Sequence, residues 1–147
     1  MSTILADRNF VVQASRDRVW RLIGKVIFST LPGMEQVEIL DENSFRALLK
    51  MKLSGVGLTM RLKGEMVDVS PPQSFAVRLS IDGPGGLQMD QKVSIALTPL
   101  EKGKTAIAFK ATAEKMGILM RSFFLGPARR FAQSTFEAIE KRLQELA

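Results

Sequence analysis

The sequence of 147 residues contains no histidine, no cysteine and no tyrosine. Histidine titrates near neutral pH, cysteine is a strong nucleophile, and tyrosine can act as a phenolic acid. Histidine and cysteine are also the usual protein ligands of zinc, copper and iron. Any catalysis would have to use carboxylates, lysines or hydroxyls. The composition therefore argues against an enzyme, and we expect no catalytic residues, no metal site and no cofactor.

Long apolar runs are missing as well. No stretch approaches the roughly 20 apolar residues that a membrane-spanning helix needs. Residues 1–10 do not show the basic region followed by an apolar region that is typical of a signal peptide. The lack of cysteine fits a reducing compartment. These absences predict a cytoplasmic protein.

The residues that are present suit one folded domain. Hydrophobic residues make up 46% of the chain and charged residues 24%, which is typical of a globular protein. The length is sufficient for one sizeable core, and no repeat or linker divides the chain, so we predict a single domain over residues 1–147. The net charge of +6 favours an acidic partner or an acidic surface.

Hydrophobic periodicity predicts a strand, a helix, six further strands and a long C-terminal helix. The first strand covers residues 4–13, and a helix capped by Ser15 follows it and ends within 28–33. From there to residue 114 the apolar period is two, and short loops separate the strands. The last helix begins at Pro127, after a break at Gly126, and carries a broad apolar arc. This order predicts an α+β fold in which a curved seven-stranded antiparallel sheet wraps around the C-terminal helix.

Four stretches resemble the carbon monoxide dehydrogenase G-subunit family, which belongs to the START-like, helix-grip (SRPBCC) superfamily. They are residues 10–12 with 18–22, the turn at 31–38, the glycine-containing strand at 62–66, and the helix at 128–136. The Leu-Pro-Gly-x-Glu segment at 31–35 is the most specific of them. The resemblance implies a hydrophobic cavity between sheet and helix that carries a lipid or a quinone-like molecule. It also implies service to a molybdenum hydroxylase at the membrane.

Inward-facing residues are the candidates for lining this cavity. Methionine is flexible and polarisable, so methionines on the inner face suit a pocket for varied apolar shapes, although they could also simply fill a core. Gln91 and Thr135 are the polar residues that the pattern places inward, where they could bond a ligand, each other, the backbone or water. The candidate lining residues are Leu49, Met51, Met60, Met66, Leu79, Met89, Gln91, Phe109, Phe124, Phe131 and Thr135.

Basic residues concentrate in two places. The outward face of the strands carries Arg46, Lys50, Lys52, Arg61, Lys63, Arg78 and Lys92; it offers no aromatic residues for base stacking, so we expect no nucleic acid partner. Segment 116–132 combines three arginines and no acid with methionine, isoleucine, leucine and phenylalanine. This composition suits transient contact with an anionic membrane on its inner face, or a segment that covers the cavity mouth. The candidate residues for contact with a membrane or a partner are Arg121, Phe123, Arg129 and Arg130.

Three functions follow from these features. The preferred one is a non-enzymatic binding or carrier protein for a hydrophobic small molecule, which serves a molybdenum hydroxylase. The second is a cyclase- or hydrolase-type enzyme that acts on a hydrophobic substrate in the same cavity. The third is a structural adaptor with a filled core. A cavity of roughly 300 Å³ or more would separate the first two functions from the third.

Overall fold

The computed structural model describes residues 3–30, 33–53 and 55–147. Short 3-10 turns at Pro84–Gly86 and Glu101–Gly103 join neighbouring strands. None of the helices in these ranges has the length and hydropathy needed to cross a membrane. The helices and strands, in chain order, are β1 (Thr3–Val12), α1 (Arg16–Thr30), β2 (Met34–Asp41), β3 (Ser44–Leu53), β4 (Val56–Ser70), β5 (Ser74–Asp82), β6 (Gln88–Pro99), β7 (Thr105–Met116), α2 (Ile118–Phe123) and α3 (Leu125–Leu146).

The seven strands form one antiparallel sheet in the order β1-β7-β6-β5-β4-β3-β2. Strands β2 to β7 follow one another as hairpins, because short loops join antiparallel neighbours. Strand β1 instead pairs with β7, so that Val12 lies opposite Thr105. The two edges of the sheet are therefore β1 and β2. This arrangement confirms the predicted seven-stranded antiparallel sheet and the α+β class.

The apolar arc of α3 packs against the inner face of the sheet. The ring of Phe136 stacks on Phe109 of β7, with 5.1 Å between the ring centroids. Phe131 is half-buried against the same core. The buried residues of the helix are Ala128, Ala132, Thr135, Phe136, Ile139 and Leu143. The predicted grip of the sheet on this helix is confirmed.

Polar contacts attach α3 to the edge strand β1 from one end of the helix to the other. They join the Nε of Arg129 to the carbonyl oxygen of Ile4 (3.2 Å), the Nε of Arg8 to the Oε1 of Glu140 (2.8 Å), and the Nε2 of Gln144 to the carbonyl oxygen of Val11 (2.8 Å). Because these bonds are spread along the helix, α3 and β1 are fixed relative to each other.

The start of α3 differs from the prediction. The helix begins at Leu125, and the non-helical residue before it is Phe124, with φ −121° and ψ 8°. Gly126 therefore does not mark the break, and Pro127 is the third residue of the helix instead of the first. A proline fits anywhere in the first turn, where backbone N–H groups have no acceptor within the helix. Proline alone could not define the boundary to the residue.

The N-terminal cap of α1 is confirmed, since the backbone N–H of Arg18 donates to the Oγ of Ser15 at 3.3 Å. The predicted turn after α1 includes Leu31 and Pro32, which lie outside the described residues. Gly33, which follows them, has φ +78°, and its carbonyl oxygen accepts a bond from the backbone N–H of Lys50 at 2.8 Å. A positive φ of this size favours glycine.

Gly64 makes room for the ring of Phe45. The two residues lie opposite each other in the β3–β4 pair. A Cβ atom on Gly64 would overlap the Cε1 and Cζ atoms of the Phe45 ring. A glycine inside a strand often marks such a close approach. The glycine of β4 thus allows an aromatic ring to pack directly against the strand backbone.

Candidate functional site

A cavity of about 340 Å³ lies between the inner face of the sheet, α1 and α3. The sheet lines it with alternate residues of its strands, because alternate side chains of a strand point to the same face. The volume exceeds the roughly 300 Å³ expected for a small-molecule site and lies within the range of such pockets. The space between sheet and helix is therefore not filled by side chains.

Nine of the eleven predicted lining residues lie on the wall of this cavity: Leu49, Met60, Met66, Leu79, Met89, Gln91, Phe109, Phe131 and Thr135. Met51 belongs to β3, but its side chain lies outside the described part of the chain. Phe124 packs against the core without lining the cavity, because it precedes α3 and does not belong to the apolar arc of that helix. That the nine residues contact a ligand stays a prediction.

Helix α1 was not among the elements predicted to line the cavity. Trp20, Ile23 and Ile27 of α1 line the cavity. The indole of Trp20 meets the ring of Phe75 edge to face, with 5.5 Å between centroids and an angle of 90°. The helical spacing of these apolar residues was visible in the sequence. Spacing alone, however, does not tell which layer of the fold a helix covers.

The exposed part of the wall lies at the end of β2. Ile39 is 62% exposed, and Asp41, Glu42 and Asn43 are exposed. The other lining residues are buried or half-buried. Among the described residues, the cavity wall is therefore exposed to solvent beside the turn between β2 and β3, and we call this part of the wall the opening. Segment 116–132, which was considered as a cover for the cavity mouth, contributes only buried or half-buried residues to the described wall.

The turn at this opening is held by local hydrogen bonds. The backbone N–H of Asn43 donates to the Oδ1 of Asp41 at 2.8 Å, an Asx turn. This bond, together with bonds from Ser44, holds the pKa of Asp41 below its ordinary value. The carbonyl oxygen of Asn43 accepts a bond from the backbone N–H of Met66, which ties the turn to β4. The opening thus carries a fixed, ionised carboxylate at neutral pH.

Both polar residues that were expected to face inward line the cavity, but in the described part of the chain only one of them has a hydrogen-bond partner for its side chain. The hydroxyl of Thr135 donates to the carbonyl oxygen of Phe131 at 2.9 Å, within α3. Gln91 lies at a register shift between β6 and β7 and is half-buried on the cavity wall. Within the described residues, the side-chain amide of Gln91 has no hydrogen-bond partner. Gln91 can therefore donate to, or accept from, a polar atom of a bound molecule.

The basic outer face of the sheet points away from the cavity. Six of its seven predicted residues are exposed, and Lys92 is half-buried and bonded to Asp68 at 3.0 Å. Arg46 pairs with Glu38 at 2.9 Å, and Lys50 pairs with Glu35 at 3.3 Å. Acidic residues of β2 thus neutralise part of this face.

The predicted membrane or partner contacts lie on the surface near α2. Arg121, Phe123, Arg129 and Arg130 are all exposed. Phe123 is 67% exposed and Ile118 is 84% exposed, so α2 presents apolar side chains to solvent. Arg129 also bonds to the backbone of β1.

Comparison with known proteins relates the chain to one family and one fold. The family model for the carbon monoxide dehydrogenase G-subunit (CoxG) matches residues 9–144. A comparison with curated proteins found no match. Solved structures with the same fold include a conserved protein from Geobacillus kaustophilus, with 18% identity, 95% of this chain and 94% of that chain covered, and a TM-score of 0.77. A START superfamily protein from Mycobacterium smegmatis has 12% identity, 95% of this chain and 94% of that chain covered, and a TM-score of 0.62. The solved structures also include the Zhui aromatase/cyclase from Streptomyces sp. R1128 (17% identity, 99% and 90% covered, TM-score 0.57).

Proposed function

Because the chain belongs to the carbon monoxide dehydrogenase G-subunit family, we propose that it is a carrier that binds a hydrophobic small molecule between the sheet and α3. The family and the START-like fold support a ligand-binding role. The observation that carries the proposal is the apolar cavity of about 340 Å³. Well-packed protein interiors contain few voids larger than a water molecule, so a cavity of this size supports the binding of a small molecule.

The wall chemistry supports a lipid or a quinone-like molecule as the ligand. Met60, Met66 and Met89 offer flexible side chains that adapt to an apolar body. The amide of Gln91 offers one hydrogen-bonding group within that apolar wall. A ligand with a long or flat apolar part and a single polar group matches this combination.

Two measurements test the binding role. Native mass spectrometry of the protein isolated from its own host should detect a bound apolar molecule. The neutral dye N-phenyl-1-naphthylamine should gain fluorescence on entering the cavity and should displace that molecule. If no molecule co-purifies and the dye does not bind, the carrier role is wrong and a structural adaptor role is supported.

The partner of the carrier is proposed to be a molybdenum hydroxylase of the carbon monoxide dehydrogenase type. Family membership supports this link. Tagged protein recovered from host lysate should then bring molybdenum with it, measured by elemental mass spectrometry of the eluate. An eluate without molybdenum would remove this part of the proposal.

An enzyme is the second candidate, because one protein with this fold is an aromatase/cyclase. The sequence supplies no histidine, cysteine or tyrosine for such chemistry. The co-purified molecule distinguishes the two functions. A carrier should return it unchanged after incubation, whereas an enzyme should convert it to a product with a different retention time in chromatography.

The surface around α2 is proposed as a transient contact with anionic membrane. Each basic residue near such a surface contributes about 1 kcal/mol, which suits docking that must be reversible. Vesicle co-sedimentation should show binding that needs anionic lipid and weakens with salt. Changing Arg121 and Arg130 to glutamine should reduce this binding; Arg129 is left unchanged because it also fixes β1.

The matched control changes Arg61 and Arg78 on the outer face of the sheet to glutamine, which removes the same charge. We expect this control to keep most of the vesicle binding. An equal loss in both variants would mean that net charge, and not the surface around α2, determines membrane contact.

A further inference from the structure

The charged residues of the cavity wall are all acidic, although the chain as a whole is basic. The net charge is +6. Among the described residues, the ionisable side chains that line the cavity are Asp41 and Glu42, and no lysine or arginine lines it. The side chains outside the described part of the chain, at positions 1, 2, 28–32, 51, 53 and 54, include no lysine, arginine, aspartate or glutamate. The site and the whole molecule therefore differ in the sign of their charge.

We propose that this opening selects ligands by charge: the cavity accepts apolar molecules with a neutral or cationic polar group and excludes anionic ones such as fatty acid carboxylates. The proposal rests on the carrier function proposed above and specifies the class of ligand. Its basis is the position of Asp41 and Glu42, which lie at the opening, the solvent-exposed part of the described cavity wall.

Two physical costs act against an anion at this site. An anion at the opening meets two carboxylates, and like charges repel at short range. An anion deeper in the cavity loses its hydration without gaining a cationic partner, which is costly in an apolar environment. The polar group available inside is the neutral amide of Gln91, which can bond a hydroxyl or a carbonyl group.

The carboxylate of Asp41 is also held in place. Asp41 accepts hydrogen bonds from the turn itself, so it stays ionised and cannot swing away freely. Lys63, on the outer face of the sheet, is close enough to attract Asp41 and offsets part of its charge. Lys63 does not line the cavity, so it cannot pair with an anion inside it.

A displacement assay with ligands of one chain length tests the proposal. N-phenyl-1-naphthylamine is bound first, and decanol, decylamine or decanoate is then added at neutral pH. Decanol and decylamine should displace the dye at concentrations about tenfold lower than decanoate does. Decylamine is the decisive comparison, because it is charged like decanoate and differs in sign. Decanoate equal to or better than decylamine would overturn the proposal.

Variants assign the effect to the opening. Changing Asp41 to asparagine and Glu42 to glutamine should reduce the difference between decylamine and decanoate several-fold, and asparagine preserves the acceptor of the Asx turn. The control changes Glu101 and Glu114 to glutamine, which removes the same charge from exposed residues outside the cavity wall. The role of the opening would be refuted if decylamine and decanoate still differed as much in the first variant as in the original protein. It would also be refuted if the control reduced that difference equally. Failure of the dye to bind, together with the absence of a co-purified molecule, would instead refute the carrier function itself.

Discussion

A tryptophan in place of Met60 should block ligand binding while the protein stays folded. Met60 is fully buried and lines the cavity. In a filled core, the larger side chain would cause overpacking and cost about 1–3 kcal/mol. Here the indole can extend into the cavity of about 340 Å³, so the free energy of unfolding should change little. The affinity for N-phenyl-1-naphthylamine should fall by at least about tenfold, because the indole takes the space of the dye.

Met116 provides the matched control for this substitution. It is half-buried against the core but does not line the cavity. Changing Met116 to tryptophan should leave dye affinity close to that of the original protein, even where it lowers stability. Urea unfolding followed by circular dichroism reports stability, and fluorescence titration reports affinity. Strong destabilisation by Met60→Trp with dye binding retained would mean that the dye binds elsewhere.

Replacing Gly64 by alanine should destabilise the fold by about 1–3 kcal/mol. The new methyl group would overlap the ring of Phe45, which is buried and cannot leave its place without opening the inner face of the sheet. Urea unfolding at equilibrium measures the loss. The same ring lines the cavity, so a shift of the ring should also change dye affinity.

A second substitution tests whether the ring of Phe45 causes this effect. Changing Phe45 to leucine removes the Cε1 and Cζ atoms, which the methyl group would overlap most closely. The double variant Gly64→Ala, Phe45→Leu should therefore be less destabilised than the sum of the two single variants, as a double-mutant cycle would show. If the losses in free energy of unfolding are additive, the destabilisation by Gly64→Ala comes from the backbone of β4 and not from the ring of Phe45.

Local patterns predicted most of the elements correctly. The alternation of Phe45, Ala47 and Leu49 in β3 determines which face is buried, because a strand places every second side chain on one side. The apolar arc of α3 similarly predicted the helix face that meets the sheet. These features depend on residues close together in the chain, so the sequence alone carries them.

Features that depend on distant residues were harder to predict. The pairing of β1 with β7 and the place of α1 on the cavity wall join segments that are far apart in the chain. The opening at Asp41–Asn43 was missed because these polar residues have the composition of an ordinary turn. Only the fold shows that this turn borders the cavity. The net charge of the chain predicted an acidic partner or an acidic surface, which stays a prediction, but it did not predict that the ionisable residues of the described cavity wall are acidic.

The pairing of β1 with β7 also has a consequence for how the chain folds. β1 is made before the other six strands of the sheet, but its partner Thr105–Met116 follows about 90 residues later. The hairpins from β2 to β6 need only neighbouring segments and can form during synthesis. β1 must wait, unpaired, until β7 has emerged, and α3, which bonds to β1 along its length, comes later still. Closing this long loop has the largest entropic cost of any step in forming the sheet, so it should set the folding rate.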